Sequence, residues 1–305
     1  MGGLWWLWIP ITLVAATAQT VRNATQRKLQ VDIGTLGATL VRFIYAIPFA
    51  ILWVVFLRYT QIHSPITFSF QFCYWLAFGA IAQVAGTALM LKAMEQHNFA
   101  IATAYIKTEI LQVAIFGLLF LGERLSLTTT LAILIAGICV FALSISQVKD
   151  KQREPIPFLK SPVFYGVSSG AFFALSTVGF KGATLSLGGS VFFAASVSVL
   201  SAQILQSILL FSYLYLKNSA IITNLLSSWR TSSLVGISGA VASIGWFSAM
   251  AIEPIAHVRT LALIEVLMGY FISRVFFKEQ LGKIQILACC ILTISIGLVT
   301  LGSKS

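Results

Sequence analysis

Ten runs of apolar residues separated by short polar breaks organise the chain. They cover approximately residues 4–21, 34–57, 72–91, 99–121, 127–147, 162–180, 189–216, 233–251, 258–277 and 284–301. A bilayer crossing takes roughly 20 apolar residues as a helix, and each run comes close to that or exceeds it. The runs are continuous rather than alternating, which predicts helices and not a barrel. The breaks carry turn and charged residues: Arg22 to Asp32, Arg58 to Pro65, Glu95 to Asn98, Glu123 and Arg124, Lys217 to Arg230, and Lys278 to Lys283. One break differs from the others. Residues 148–161, VKDKQREPIPFLKS, are polar, hold two prolines and lie at the midpoint of the chain. They read as a linker between two halves, 1–147 and 162–305.

Composition supports the membrane reading. The chain is 58% hydrophobic and 10% charged, against about a quarter charged in a soluble domain. A soluble fold this apolar leaves large hydrophobic patches in water. The net charge of +11 does not point to nucleic acid, because the Lys and Arg lie mostly in short breaks between apolar runs. That is where membrane proteins place topology signals. Trp5, Trp6, Trp8, Trp53, Trp75 and Trp229 fall near predicted span ends, as in an interfacial belt, whereas Trp246 falls inside a span. The cysteines, Cys73, Cys139, Cys289 and Cys290, sit in apolar runs without metal-ligand spacing and read as small apolar fillers. The first run lacks a basic segment before it, so it reads as a retained helix.

The two halves contain related segments. Shifted by 156 positions, residues 93–125 align without gaps to 249–281. Matches include Ala93 with Ala249, Met94 with Met250, Glu109 with Glu265, and Glu123 with Glu279. Matches between apolar residues are cheap; the glutamates are not, since the chain holds only nine acidic residues and four of them fall in register. The pattern predicts a duplication, with five spans per half. An odd number of spans inverts the second half. The expected fold is therefore an all-α polytopic membrane protein of ten transmembrane helices in two inverted five-helix repeats, an arrangement used by secondary transporters.

The fourth-to-fifth span junctions carry a likeness to a known family. They read Phe120-Leu121-Gly122-Glu123-Arg124-Leu125 and Phe276-Phe277-Lys278-Glu279-Gln280-Leu281. With Ala93-Met94, Ala249-Met250 and Arg42-Phe43, the chain resembles the EamA type of the drug/metabolite transporter superfamily. Ile110 stands where members often carry proline. The resemblance implies movement of small organic solutes (amino acids, other metabolites or cationic compounds), a bacterial inner (plasma) membrane, a monomer and no cofactor.

Glu109 lies about ten residues into the fourth span, roughly 15 Å deep at 1.5 Å per residue. Glu265 lies about seven residues into the ninth. A charge there costs on the order of 2.5–3.5 kcal/mol unless it faces protein or water. Hydrocarbon favours the neutral form of a carboxyl group, so intramembrane carboxyls suit proton exchange or cation binding. The alternative is a structural hydrogen bond or ion pair to a neighbouring helix. Lys107 sits about 200° round the helix from Glu109 and cannot share its face. It lines a cavity, pairs with another helix or snorkels to the interface. Arg42 is suited to an anionic group or to neutralising a glutamate. Gln83 and Gln112 serve as ligand contacts or interhelical glue. Span seven is polar on one side, with Ser196, Ser198, Gln203, Gln206 and Ser207, and with Trp246 it is a candidate cavity wall. Arg259, His257 and Arg274 are read as interfacial. Glu123 and Glu279 are read as closing turns and satisfying backbone N–H groups at the next helix start.

Topology signals conflict. Ten spans put both termini on one side; the family places them in the cytoplasm, but five loop cations fall on that side and twelve on the other. Orientation stays open. No phosphate loop, nucleophile elbow or zinc motif appears, which argues against an enzyme. Two functions remain. One is a secondary carrier working by alternating access on a small solute, with protons as a coupling ion. The other is a non-transporting membrane subunit or chaperone that uses its intramembrane charges to pair with a partner.

Overall fold

Prolines in these apolar runs fall where a helix tolerates them. Pro10, Pro48 and Pro162 each lie in a first turn, where the missing N–H has no intrahelical acceptor in any case. The runs between them are free to close every backbone hydrogen bond internally, as hydrocarbon demands. The structure, a computed structural model, describes residues 5–60, 65–96, 99–123, 125–146, 161–217 and 228–275, with single positions between 287 and 297. After a 3-10 turn at Trp5–Leu7, the helices are α1 Trp8–Ile44, α2 Ile47–Thr60, α3 Phe70–Gln96, α4 Phe99–Ile106, α5 Glu109–Leu121, α6 Leu127–Ser146, α7 Pro162–Leu187, α8 Val191–Lys217, α9 Trp229–Ile252, α10 Ile255–Leu261 and α11 Ile264–Val275.

The expectation of ten transmembrane helices in two inverted five-helix repeats does not hold. Among the described residues, five stretches are long and apolar enough to cross a membrane: Trp8–Thr60, Phe70–Gln96, Pro162–Leu187, Val191–Lys217 and Trp229–Ile252. The first two predicted spans belong to one apolar stretch, because the polar segment Arg22 to Asp32 is helical rather than a loop. The fourth and ninth predicted spans each break into two short helices, α4/α5 and α10/α11. The tenth predicted span, residues 284–301, lies largely outside the described residues. So do Glu279 and, apart from Ser161, the predicted linker 148–161.

Two compact units emerge from the packing, both drawing on early and late parts of the sequence. The first comprises Met1–Val84 and Ser176–Glu253, and the second Ala85–Leu175 and Pro254–Ser305. In the first unit α1 packs on α8 and α9, and α2 on the same two helices. Within α1, Gly34 has φ 73 and ψ 172, a conformation open essentially to glycine alone. The chain reverses there. Gln26 Nε2 donates to the Ala38 carbonyl at 2.8 Å, whereas twelve residues of straight helix span about 18 Å. The buried face of α1 mixes apolar residues with polar ones, among them Thr12, Thr20, Arg22, Asn23, Gln26 and Gln30. The outward faces of α2 and α8 expose Leu52, Phe56, Ile208 and Leu216, a surface suited to lipid.

In the second unit the short helices cross-pack. α4 lies against α11 and α10 against α5, with α6 touching α4, α5 and α10. Ile110, Ile133, Ala136, Cys139, Ala256, Leu263 and Val266 form its buried core. Gly122 ends α5 in the left-handed conformation, φ 66.

Candidate functional site

The two breaks share one backbone pattern. At the first, Lys107 N–H still reaches Thr103 four residues back, but Thr108, Ile110 and Leu111 donate only three residues back, to Tyr105, Lys107 and Thr108. At the second, Ala262 reaches Val258, while Leu263, Glu265 and Val266 donate to Thr260, Ala262 and Leu263. Each bond of the second series lies 155 positions after its counterpart. Three-residue bonds tighten the helix locally and redirect it. At the first break the Thr108 hydroxyl also donates to the Tyr105 carbonyl at 2.8 Å, competing with the regular ladder. The glutamates match at 156 positions rather than 155. Relative to its break, each therefore sits one residue away from the other, or about 100° round the helix.

Cross-packing brings the charges at the breaks together. Lys107 Nζ lies 3.0 Å from Glu265 Oε2. Arg259 Nη1 lies 3.2 Å from Glu109 Oε1. Each pair thus joins a cation from one broken helix to a carboxylate from the other, and the four groups sum to zero charge. All are buried or nearly so. The two pairs differ in quality. Glu109 Oε1 accepts no hydrogen bond among the described residues, so its contact with Arg259 is an ion pair by distance alone. In low dielectric such attraction is strong, yet it works against a large desolvation cost.

Helix α7 covers the first break. A Cβ on Gly170 would lie 2.7 Å from the Ile106 carbonyl oxygen, 3.1 Å from Glu109 N and 3.3 Å from Gln112 Oε1. Glycine is what lets α7 come so close to backbone groups freed by the break. Gln112 Oε1 is buried beside it with no hydrogen-bond partner among the described residues.

The sequence-derived candidates therefore divide. Glu109, Glu265, Lys107 and Gln112 gather at the breaks of the second unit. Arg42, Gln83 and Trp246 belong to the first. Arg42 is buried in the last turn of α1, with its guanidinium 5.3 Å from the Phe43 ring centroid. Gln83 accepts from Gln206 Nε2 at 2.9 Å, and Trp246 Nε1–H donates to Gln19 Oε1 at 2.9 Å. Both bonds join helices, as polar groups between membrane helices commonly do.

Several residues lie where sequence reasoning did not put them. Arg259 and His257, read as interfacial, are inside. Arg259 meets Glu109, and the His257 ring contacts the Thr129 hydroxyl at 3.1 Å. Glu123 satisfies a helix start, but a distant one: its Oε2 accepts from the N–H of Ile255, the first residue of α10, at 3.0 Å. Arg22, Asn23, Gln26 and Gln30, read as a loop, line the buried face of α1. Their spacing with Gln19 is helical, and that polar stripe was the available signal.

Comparison with known proteins agrees with this picture. No curated protein matches the sequence. A solved crystal structure superposes with a TM-score of 0.62 at 13% identity, covering 96% of this chain and 98% of that one; the likeness is one of fold. Residues 6–145 match the EamA-like transporter family, whose members are generally transporters. By its apolar helices the chain is an integral, multi-pass membrane protein, and residues 6–145 form a domain of the EamA-like transporter family.

Proposed function

We propose that the protein is a secondary carrier that moves a small organic solute by alternating access, with Glu109 and Glu265 as its coupling groups. The observation that supports this most is the crossed pairing of four buried charges at two adjacent helix breaks. Charges inside a membrane are costly and functional by default. Broken helices place ion and substrate sites in many carriers, since freed backbone groups and helix ends face the ligand there.

The pairing suggests how coupling would run. A proton reaching Glu265 cancels its charge and releases Lys107. One reaching Glu109 releases Arg259. A released cation left in low dielectric is unstable until it finds an anion or water, so protonation shifts the balance between arrangements of the two broken helices. The four charges pair with one another within the chain, which favours the carrier over a subunit that spends them on a separate partner.

A thermal-shift screen of the purified protein against metabolites and organic cations would identify ligands. A ligand present at 100 times its Kd adds about 2.7 kcal/mol of stability. Each ligand found is then offered to proteoliposomes. Uptake above protein-free vesicles is expected for at least one; binding without flux for all of them contradicts the carrier.

A further inference from the structure

A chain of hydroxyl groups leads into the second unit at the start of α6. Ser126 precedes that helix and Thr128 lies in its first turn, and both are exposed. Thr129 beside them is 0% exposed, and His257, whose ring it meets, is 9% exposed. Thr128 Oγ1 and Ser126 Oγ are 3.0 Å apart. Ser126 Oγ donates to Thr129 Oγ1 at 2.9 Å, and Thr129 Oγ1 lies 3.1 Å from His257 Nε2.

A hydroxyl carries one proton, which gives the chain a direction. The Ser126 proton is committed to Thr129, so between Ser126 and Thr128 the donor is Thr128. Thr129 accepts from Ser126 and has its own proton left for His257 Nε2. All donors then point inward, and the chain ends on the lone pair of a neutral ring protonated at Nδ1. Capping explains only the outer part of this arrangement. Ser126 Oγ accepts from the Thr129 N–H at 3.2 Å, as at many helix starts. A cap needs neither a buried second hydroxyl nor an imidazole behind it.

His257 sits in α10, a seven-residue helix that also carries Arg259, the partner of Glu109. This helix packs on α5 and α6. They bring the titratable groups Glu109, Glu123 just beyond α5, and Cys139, and α10 itself adds Arg259. Imidazole is the side-chain group that ordinarily changes charge between about pH 5 and 8.

We propose that Thr128, Ser126 and Thr129 relay protons from the protein surface to His257, which loads the proton used in coupling. This deepens the carrier reading by naming where the proton enters, and rests on it for the word coupling. A proton from hydronium joins Thr128 Oγ1. The Thr128 proton passes to Ser126, that of Ser126 to Thr129, and that of Thr129 to His257 Nε2. Each hydroxyl ends with one proton, the water is left neutral, and the imidazole has become imidazolium. The hydrogen bonds then run outward, so the proton can leave by the same path. While loaded it rests two residues from Arg259, on the helix that meets Glu109.

Nitrogen-15 NMR of histidine-labelled protein in detergent reads the loading step without flux. His63→Asn and His97→Asn leave His257 as the one histidine of the original three. At high pH the neutral ring is expected as the Nδ1–H tautomer, and lowering the pH should protonate it. Thr129→Val should lose the tautomer preference, and Thr129→Ser, which restores the hydroxyl, should recover it. A neutral ring protonated at Nε2, a ring still neutral at about pH 5, or a Thr129→Val spectrum like the parent's overturns the relay. Proteoliposomes with a pH dye then test its use. Thr129→Val, and His257→Gln, which cannot hold the proton, are each expected to slow the solute-driven pH change about tenfold or more. The glutamine variant decides if Thr129→Val does not fold, and a wild-type pH change in it overturns the proposal. The expected spectra in a protein that carries no solute leave the path to His257 standing and sink the carrier instead.

Discussion

Lys107 and Glu265 meet at 3.0 Å with side chains 6% and 2% exposed, each beside the break of a different helix. A pair this deep is held by mutual neutralisation. Removing one partner leaves the other charged and buried, which costs about 3–5 kcal/mol; replacing both with apolar residues of similar volume is often nearly neutral. Lys107→Met and Glu265→Leu should each lower the melting temperature sharply, and the double variant should recover most of the loss. A double-mutant cycle in detergent measures it, and additive losses would mean that the two do not stabilise each other.

At Gly170 the prediction is steric. The added methyl of Gly170→Ala meets the Ile106 carbonyl oxygen at 2.7 Å, and backbone cannot swing aside as a side chain can. The cost expected is about 1–3 kcal/mol, read as a lower melting temperature. Wild-type stability in this variant would show that α7 does not press on the break.

Gly34→Ala isolates a backbone effect. Nothing lies within 4 Å of a Cβ at this position, so no clash is created. The φ of 73 with ψ of 172 still costs an alanine about 1–3 kcal/mol. Gly34→Asn should give no relief, because that ψ lies outside the left-handed well which asparagine tolerates. Thermal unfolding of both variants checks this.

Glu123→Ala removes the acceptor for Ile255 N–H at the start of α10. A buried donor left unsatisfied costs about 1–3 kcal/mol. Glu123→Gln keeps an acceptor and should cost less. Hydrogen exchange at the Ile255 amide should rise in the alanine variant and change little in the glutamine one.

How much of this could be read from the chain depended on range. Helices followed from continuous apolar runs, because hydrocarbon leaves the backbone few alternatives. Glu109 and Glu265 stood out as acids in apolar surroundings. The breaks beside them did not, since residues 103–112 and 258–267 contain neither proline nor glycine. They arise from three-residue hydrogen bonds and from packing. The partners were hidden for the same reason. Arg259 reaches Glu109 only because α10 lies against α5, and no spacing in the sequence encodes that contact. Arg22 was misplaced by a simpler error: polar residues were read as a loop where helical spacing put them on a single face.

Coupling through the two glutamates is the claim on which the account turns, and solute flux with an internal pH dye measures it. Proteoliposomes of the wild type and of the Glu109→Gln/Glu265→Gln variant receive the same solute, one shown to bind both proteins. The account predicts solute uptake with a matching pH change in the wild type, and loss of the pH change in the variant. The same solute-dependent pH change in both proteins would contradict it.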